Sequence, residues 1–160
     1  MLSTIRVQTA AFDVGDETRM LGEVSNQVGA ITSFTGLVRD INDDAGVSSL
    51  YLEHYPGMTE RQIAEIVEEA AERWQVLAAT VIHRVGELRP TDPIVFVGVA
   101  SLHRGDAFHA CEYIIDFLKT RAAFWKKEQT EAGARWLTTR DSDLVTAAGW
   151  KSGDSTSDKS

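Results

Sequence analysis

The sequence predicts an α+β domain in which helices pack on a mixed, largely antiparallel sheet. The predicted order strand-strand-helix-strand-strand-helix supports this class. Short runs rich in β-branched residues alternate with longer stretches in which apolar residues recur at helical spacing. The chain has 160 residues, the size of one ordinary domain, and no linker divides it. We expect one domain over residues 1–150 and a flexible tail over residues 151–160, which are mostly serine, aspartate, lysine and glycine.

Strands dominate the first third of the predicted domain. They are expected at residues 5–9, 29–38 and 50–55, with a short helix or loop at residues 13–26 after the first strand. The polar, acidic stretch from Asp40 to Ser49 indicates a mobile loop between the second and third strands.

A helix is predicted from Thr59, because Gln62 follows three residues later as in a capping box. Its apolar residues recur every three or four positions up to Trp74, and the acidic residues between them are typical of a solvated face. The next strand is expected at residues 79–85. Residues 94–100 are apolar throughout, which predicts a central strand buried on both faces.

A second helix is predicted from Asp106, the expected capping residue. Its buried stripe is expected to contain Phe108, Cys111, Ile115, Leu118 and Ala122. Cys111 is the only cysteine, so the chain forms no intrachain disulfide and no cysteine-based metal cage. Its place on the apolar stripe favours an inert core thiol over a nucleophile.

The composition argues against several classes of function. The formal net charge is −8, and an overall negative field does not suit a general nucleic-acid binder. No apolar run reaches the roughly 20 residues that span a bilayer, and the N-terminus lacks the pattern of a secretory signal. The histidines lack zinc-ligand spacing. We therefore expect a cytoplasmic protein that holds no metal and no cofactor, contacts neither nucleic acid nor membrane, and binds any anion through a local group of cations.

The segment from Lys119 to Lys127 is a local group of cations in this acidic chain. This segment contains four cations and no acidic residue. In an unbroken helix, Lys119 and Lys126 would share one face about 10 Å apart, where they could grip two parts of one elongated anion. Phe124 and Trp125 lie between them and would partly desolvate them, which favours proton exchange near neutral pH. The alternative is that the cations decorate the exposed end of a helix and suit the negative end of its dipole.

Two shorter segments could contribute to the same anion site. His103 and Arg104 follow the most apolar strand and precede a helix, whose N-terminal amides attract anions; the alternative is a capped surface turn. Arg39 follows another strand. We expect Lys119, Arg39 and His103 to surround one anion. The pair His83–Arg84 lies inside a strand and is expected to be structural.

Five segments of the chain resemble the molybdopterin synthase large-subunit family. They are GAITSFTGLVRD (29–40), LYLEHYPGMTERQIAEIVEEA (50–70), VIHRVGEL (81–88), IVFVGVASLHRGDAF (94–108) and FLKTRAAFWKKE (117–128). Their order and spacing are those of the family over roughly residues 28–140. The combination of LEHYPGM with a later K-x-x-x-x-x-W-K-K-E is specific to this family.

The resemblance implies a sulfurtransferase with a protein partner. The partner is a small subunit with a ubiquitin-like fold that ends in Gly-Gly and carries a C-terminal thiocarboxylate. It delivers sulfur to cyclic pyranopterin monophosphate, and two transfers build the dithiolene of molybdopterin. The resemblance also implies a homodimer of large subunits with one small subunit at each end, which is a heterotetramer.

The resemblance implies roles for seven residues of this chain. Lys119 and Lys126 match the catalytic lysines of the family. The residues that match positions in contact with the pterin or its phosphate are Arg39, His103, Arg104, Lys127 and Glu128. We expect Lys119 to act at the reacting centre and Lys126 to support the phosphate or the acyl intermediate.

One residue departs from the family pattern. The family usually has proline where this chain has Ala123, between the two lysines. Proline would end or kink a helix, whereas alanine permits it to continue. We expect tertiary contacts around Trp125 to keep the bend.

Two other functions stay open at this point. A non-catalytic binding module or scaffold of the same fold would be expected to have lost one of the seven matched residues, all of which are present. An unrelated anion-binding protein, such as a phosphate-ester hydrolase, would not bind a small subunit that ends in Gly-Gly.

Overall fold

The computed structural model describes residues 1–39, 41–42, 45–130, 133–137 and 147–150, with the backbone alone for residues 41–42, 45–48, 125, 127–130 and 133–137. The strands are Leu2–Gln8 (β1), Ala30–Leu37 (β2), Ile41–Asn42 (β3), Ala45–His54 (β4), Ala78–Arg84 (β5), Gly86–Leu88 (β6), Pro93–Ser101 (β7), Phe124–Thr130 (β8) and Gly133–Leu137 (β9). The helices are Val14–Gly22 (α1), Met58–Arg73 (α2) and Arg104–Arg121 (α3). The predicted tail at residues 151–160 lies outside the described residues. Within the described ranges, no helix has both the length and the hydropathy needed to span a membrane.

The main sheet has the strand order β1-β5-β7-β2. β1 is parallel to β5, whereas β7 is antiparallel to both β5 and β2. β7 is buried from Val95 to Ser101, so the prediction of a central strand buried on both faces is confirmed. Its side chains alternate: Val97 joins the core formed with α2 and α3, and Phe96 joins the smaller core formed with α1.

A second sheet follows the path β3-β4-β8-β9, and β6 also pairs with β4. β8 is antiparallel to both β4 and β9. Leu52 and Leu88 lie in the buried cluster beneath this sheet. The α+β class is confirmed, with two sheets where the sequence predicted one.

The predicted loop at Asp40 to Ser49 is wrong for most of its length. β3 pairs with the start of β4, and β4 already begins at Ala45. The backbone of Ser49 pairs with β8, a strand far along the chain. Such a partner cannot be inferred from the local polar composition, because strand propensity depends on what the strand packs against. Residues 40, 43 and 44 of the predicted loop lie outside the described residues.

The start of α2 differs from the prediction. Gly57 is the capping residue, and its amide donates to Glu60 Oε2 at 2.6 Å. The capping box predicted from Thr59 and Gln62 is therefore wrong. The side chains of Thr59 and Gln62 bind the backbone of Ala123, just after α3.

The start of α3 also differs from the prediction. His103, rather than Asp106, is the capping residue. The Asp106 carboxylate instead accepts from the Gln75 amide at 3.2 Å and ties α3 to the segment after α2. Phe108 is 59% exposed, so its predicted place on the buried stripe is wrong, whereas Cys111 is buried as predicted.

The end of α3 decides where the two lysines lie. Only Ala122 and Ala123 separate α3 from β8, and Ala122 is extended with φ −84° and ψ 136°. The expected bend is confirmed, and an unbroken helix from Lys119 to Lys126 is wrong. The contacts expected around the Trp125 side chain lie outside the described part of the chain.

Candidate active site at the junction of helix α3 and strand β8

The main sheet has two ends, which we name after the first and last residues of β7. At the Pro93 end, β2 finishes with Leu37 opposite Pro93, and at the Ser101 end it begins opposite Ser101. α3 follows β7 and returns across the sheet. Midway along α3, Cys111 Sγ lies 3.6 Å from the Val97 carbonyl oxygen. The last turn of α3 is therefore at the Pro93 end.

The predicted site residues fall into two groups, one at each end of the main sheet. Lys119 lies in the last turn of α3 and Arg39 lies just beyond β2, so both belong to the Pro93 end. His103 and Arg104 open α3 at the Ser101 end. The residue numbers of Arg104 and Lys119 differ by 15, which is about 22 Å of helix. The expectation that Lys119, Arg39 and His103 surround one anion within a single chain is therefore wrong for His103.

Lys126 lies on β8, just beyond the bend. Its backbone pairs with β4 on one side and β9 on the other, and its side chain is exposed. The backbones of Lys127 and Glu128 continue the same strand. Lys119 is also exposed. The two predicted catalytic lysines thus lie on different elements and both reach solvent.

His83 joins β8 to the Pro93 end of the main sheet. Its ring stacks on Phe124 with 3.8 Å between ring centroids and 22° between ring planes. The pKa of His83 falls to about 4, chiefly because the ring is buried and also because the charges of Lys126 and His54 oppose its protonation. His83 Nδ1 lies 2.8 Å from the Arg84 carbonyl oxygen, to which it donates in the neutral ring. A neutral imidazole beside Lys126 adds no cation to the site.

Arg121 belongs to the basic segment but is bound within the protein. Its terminal nitrogens donate to the two carboxylate oxygens of Glu69 at 2.6 and 2.8 Å. The Tyr113 hydroxyl donates to the same carboxylate at 2.8 Å. The Arg121 guanidinium holds the pKa of Glu69 below its usual range, and Glu69 raises the pKa of Arg121. This network attaches the end of α3, two residues after Lys119, to α2.

The bend between α3 and β8 is held by α2. The Ala123 amide donates to Gln62 Oε1 at 2.8 Å, and the Ala123 carbonyl accepts from the Thr59 hydroxyl at 2.8 Å. These two residues were missed as contributors to the site because their spacing also fits a helix cap. The usable signal is that residues three apart share one face of a helix, so both can hold the same segment.

The remaining reactive groups are few. Within the described residues, no group of three or more His, Cys, Asp or Glu side chains could hold a metal ion. The Cys111 thiol is buried, and burial raises its pKa to about 12, which agrees with the predicted inert role. The Pro93 end presents the cations of Lys119, Lys126 and Arg39. They suit an anion and any negative charge that develops during a reaction.

Comparison with known proteins identifies the family of this chain. The family model described as MoaE protein matches residues 7–121. The chain belongs to the MoaE family. The match spans β2, β5 and β7 of the main sheet and the long helices α2 and α3 of this MoaE chain, and it includes Lys119, Arg39, His103 and Arg104. Lys126 lies beyond the matched residues.

Relatives of this MoaE chain are similar over nearly its whole length. One from Ralstonia nicotianae is 58% identical over 149 residues, which are 93% of this chain and 85% of the relative. One from Pseudomonas aeruginosa is 51% identical over 147 residues, which are 92% of this chain and 98% of the relative. Both are named molybdopterin synthase catalytic subunit. A solved structure, the molybdopterin biosynthesis MoaE protein from Burkholderia ambifaria, is 45% identical with a TM-score of 0.81 and covers 94% of this chain and 99% of its own.

Proposed function

We propose that this chain is the catalytic subunit of a molybdopterin synthase, a cytoplasmic enzyme of molybdenum cofactor biosynthesis. The observation that carries the proposal is the identity of 51% and 58% to relatives with this name, over more than nine tenths of the chain. In the reaction, a small ubiquitin-like subunit donates sulfur from its C-terminal Gly-Gly thiocarboxylate. The acceptor is cyclic pyranopterin monophosphate, and two transfers form the dithiolene of molybdopterin.

Lys119 and Lys126 are the proposed catalytic residues. Sulfur transfer passes through charged intermediates, and a fixed ammonium group stabilises negative charge as it develops. Lys119 acts at the reacting centre, and the Arg121–Glu69 pair holds the helix end that carries it. Lys126 supports the phosphate or the acyl intermediate from β8. Two lysines on separate elements can contact two parts of one substrate.

Five further residues bind the pterin or its phosphate in this proposal. Arg39 does so at the Pro93 end, and Lys127 and Glu128 do so from β8. His103 and Arg104 open α3 about 22 Å from its last turn. They would reach the same substrate from a second copy of the chain, which the proposed homodimer supplies.

The direct test is product formation from purified components. The chain, the thiocarboxylated small subunit and the pyranopterin together are expected to yield molybdopterin, and neither protein is expected to do so alone. Lys119→Ala is expected to lower the rate at least about a hundredfold, because it removes a charge that stabilises the transition state. Circular dichroism and thermal unfolding would show that the fold is retained.

An exposed cation away from the site provides the matched control. Arg19 lies on α1, on the opposite side of the main sheet from α3, and forms a surface pair with Glu23. Arg19→Ala is expected to keep the activity of the unmodified chain. Near-normal product from Lys119→Ala would remove Lys119 from its catalytic role, and no product from the unmodified chain would overturn the proposed function.

A further inference from the structure

Two side chains of α2 hold both polar backbone groups of one residue in the bend. Gln62 accepts from the Ala123 amide and Thr59 donates to the Ala123 carbonyl, each at 2.8 Å. Thr59 is fully buried, and its hydroxyl also accepts from the Tyr55 amide at 3.0 Å. We call Thr59 and Gln62 the α2 clamp. It connects the residue between the two lysines directly to a rigid helix.

Ala123 is the centre of a tight turn. The Phe124 amide donates to the Ala122 carbonyl at 3.1 Å, which closes a three-residue turn. The φ of Ala123 is negative, so the turn is of the inverse γ type. The central residue of such a turn has a φ of about −75°. The chain changes direction over this one residue. A small rotation at Ala123 therefore moves the start of β8, and Lys126 with it, relative to α3.

The local sequence alone does not end α3. Ala122 and Ala123 are both alanine, the best helix former. If α3 continued, the Ala123 amide would donate to the Lys119 carbonyl four residues earlier. In the structure it donates to Gln62 instead. Gln62 thus competes with the helix for this amide.

We infer that Gln62 and Thr59 are positioning residues that set the placement of Lys126 relative to Lys119 by holding Ala123. This inference rests on the proposed function, because the placement matters only if both lysines act on one substrate. Displacement of a reacting group by about 1 Å can cost two orders of magnitude in rate. Loss of the α2 clamp is therefore expected to lower kcat while leaving the lysines themselves intact.

Gln62 is the better of the two residues for a test. The Thr59 hydroxyl also binds the Tyr55 amide, so its loss would disturb the start of α2. Gln62→Met removes the acceptor at similar size and is expected to lower kcat about tenfold to a hundredfold, with KM for the pterin changed less than about threefold. Gln62→Glu replaces the side-chain amide oxygen with a carboxylate oxygen that accepts from the same Ala123 amide, and it is expected to keep kcat within about threefold of the unmodified chain.

A matched control and a coupled variant make the test specific. Gln75 is exposed and contacts Asp106 and Ser101 through its backbone, so Gln75→Met is expected to keep kcat. Ala123→Pro removes the amide that Gln62 accepts, while the proline ring sets φ near the value the turn needs. It is expected to retain most activity, and Gln62→Met is expected to have no further effect in that background.

Amide hydrogen exchange separates failure of this inference from failure of the proposed function. The Ala123 amide is expected to exchange slowly in the unmodified chain and in Gln62→Glu, and much faster in Gln62→Met. Full kcat in Gln62→Met, or an equal loss of kcat with and without Ala123→Pro, would overturn the positioning role. If the unmodified chain makes no molybdopterin, the proposed function fails, and the role of Gln62 in catalysis fails with it. The exchange rate of the Ala123 amide still shows whether Gln62 holds Ala123.

Discussion

His83 is buried at the Pro93 end of the main sheet, and its burial makes the stability of the protein depend on pH. The ordinary pKa of 6.5 falls to about 4 in the folded protein. Between these pH values the unfolded chain takes up a proton that the folded protein does not. The contribution of His83 to stability is therefore complete above pH 6.5 and is lost as the pH falls towards 4, by up to about 3 kcal/mol.

A substitution that removes this titration tests the effect. His83→Phe keeps an aromatic ring against Phe124 but binds no proton. Between pH 7 and pH 4.5, the free energy of unfolding in urea is expected to fall by about 2 kcal/mol less in His83→Phe than in the unmodified chain. His109 is exposed and stacks on Trp74, so His109→Phe should show the full fall. Equal falls in the unmodified chain and in His83→Phe would contradict the prediction.

Among single residues, the candidate site was partly readable from the sequence. Lys119 and Lys126 stood out as cations in an acidic chain, but their charge could not distinguish a site from decoration. His83 escaped notice as a neighbour of Lys126, because it comes near β8 only through its stacking on Phe124, which leaves no local pattern in the sequence. Gln62 was assigned to a helix cap because a local pattern was present: its spacing from Thr59 fits a capping box. In the structure it binds the Ala123 amide instead.

Between elements, the Arg121–Glu69 pair joins the end of α3 to α2. The two side chains are 34% and 38% exposed, so solvent screens much of their attraction. The two-point contact and the Tyr113 hydrogen bond strengthen the pair. Arg121→Met is expected to lower the free energy of unfolding by about 1 kcal/mol. Arg121→Lys is expected to recover only part of it, because lysine lacks the planar fork.

A double-mutant cycle isolates this contact from other effects of the substitutions. Arg121→Met and Glu69→Gln are measured singly and together by urea unfolding. Their combined loss is expected to be smaller than the summed single losses, because each substitution removes the same pair. Additive losses would show that the pair contributes nothing to the attachment of α3.

Secondary-structure elements were predictable where the local pattern decides them. The apolar run of β7 can be buried only in the centre of a sheet, and the apolar stripe of α2 only against the core. Both elements were predicted. The bend at Ala123 was expected only from the family resemblance, since alanine itself favours a helix. The start of β4 at Ala45 was missed for a related reason. Val47 and Ser49 of β4 pair with β8, and α2 holds Ala123, so at both places a partner distant in the sequence takes part.

The length of α3 makes the proposed site a property of an assembly. Lys119 and His103 lie at opposite ends of this helix, about 22 Å apart along its axis, yet both are proposed to act on one pterin. The separation follows from the helix that the sequence already predicted, and it excludes a site formed by both residues of one chain. A homodimer resolves the conflict if each site takes Lys119 from one copy and His103 from the other.

Mixed dimers test this arrangement. Lys119→Ala and His103→Ala chains with different affinity tags are expressed together, and dimers that contain one of each are isolated. Each parental homodimer has two defective sites and is expected to be inactive. A mixed dimer has one site with both substitutions and one with neither, so it is expected to show about half of the unmodified activity. If Lys119 and His103 of one chain served the same site, no site would be intact, and the mixed dimer would be as inactive as its parents.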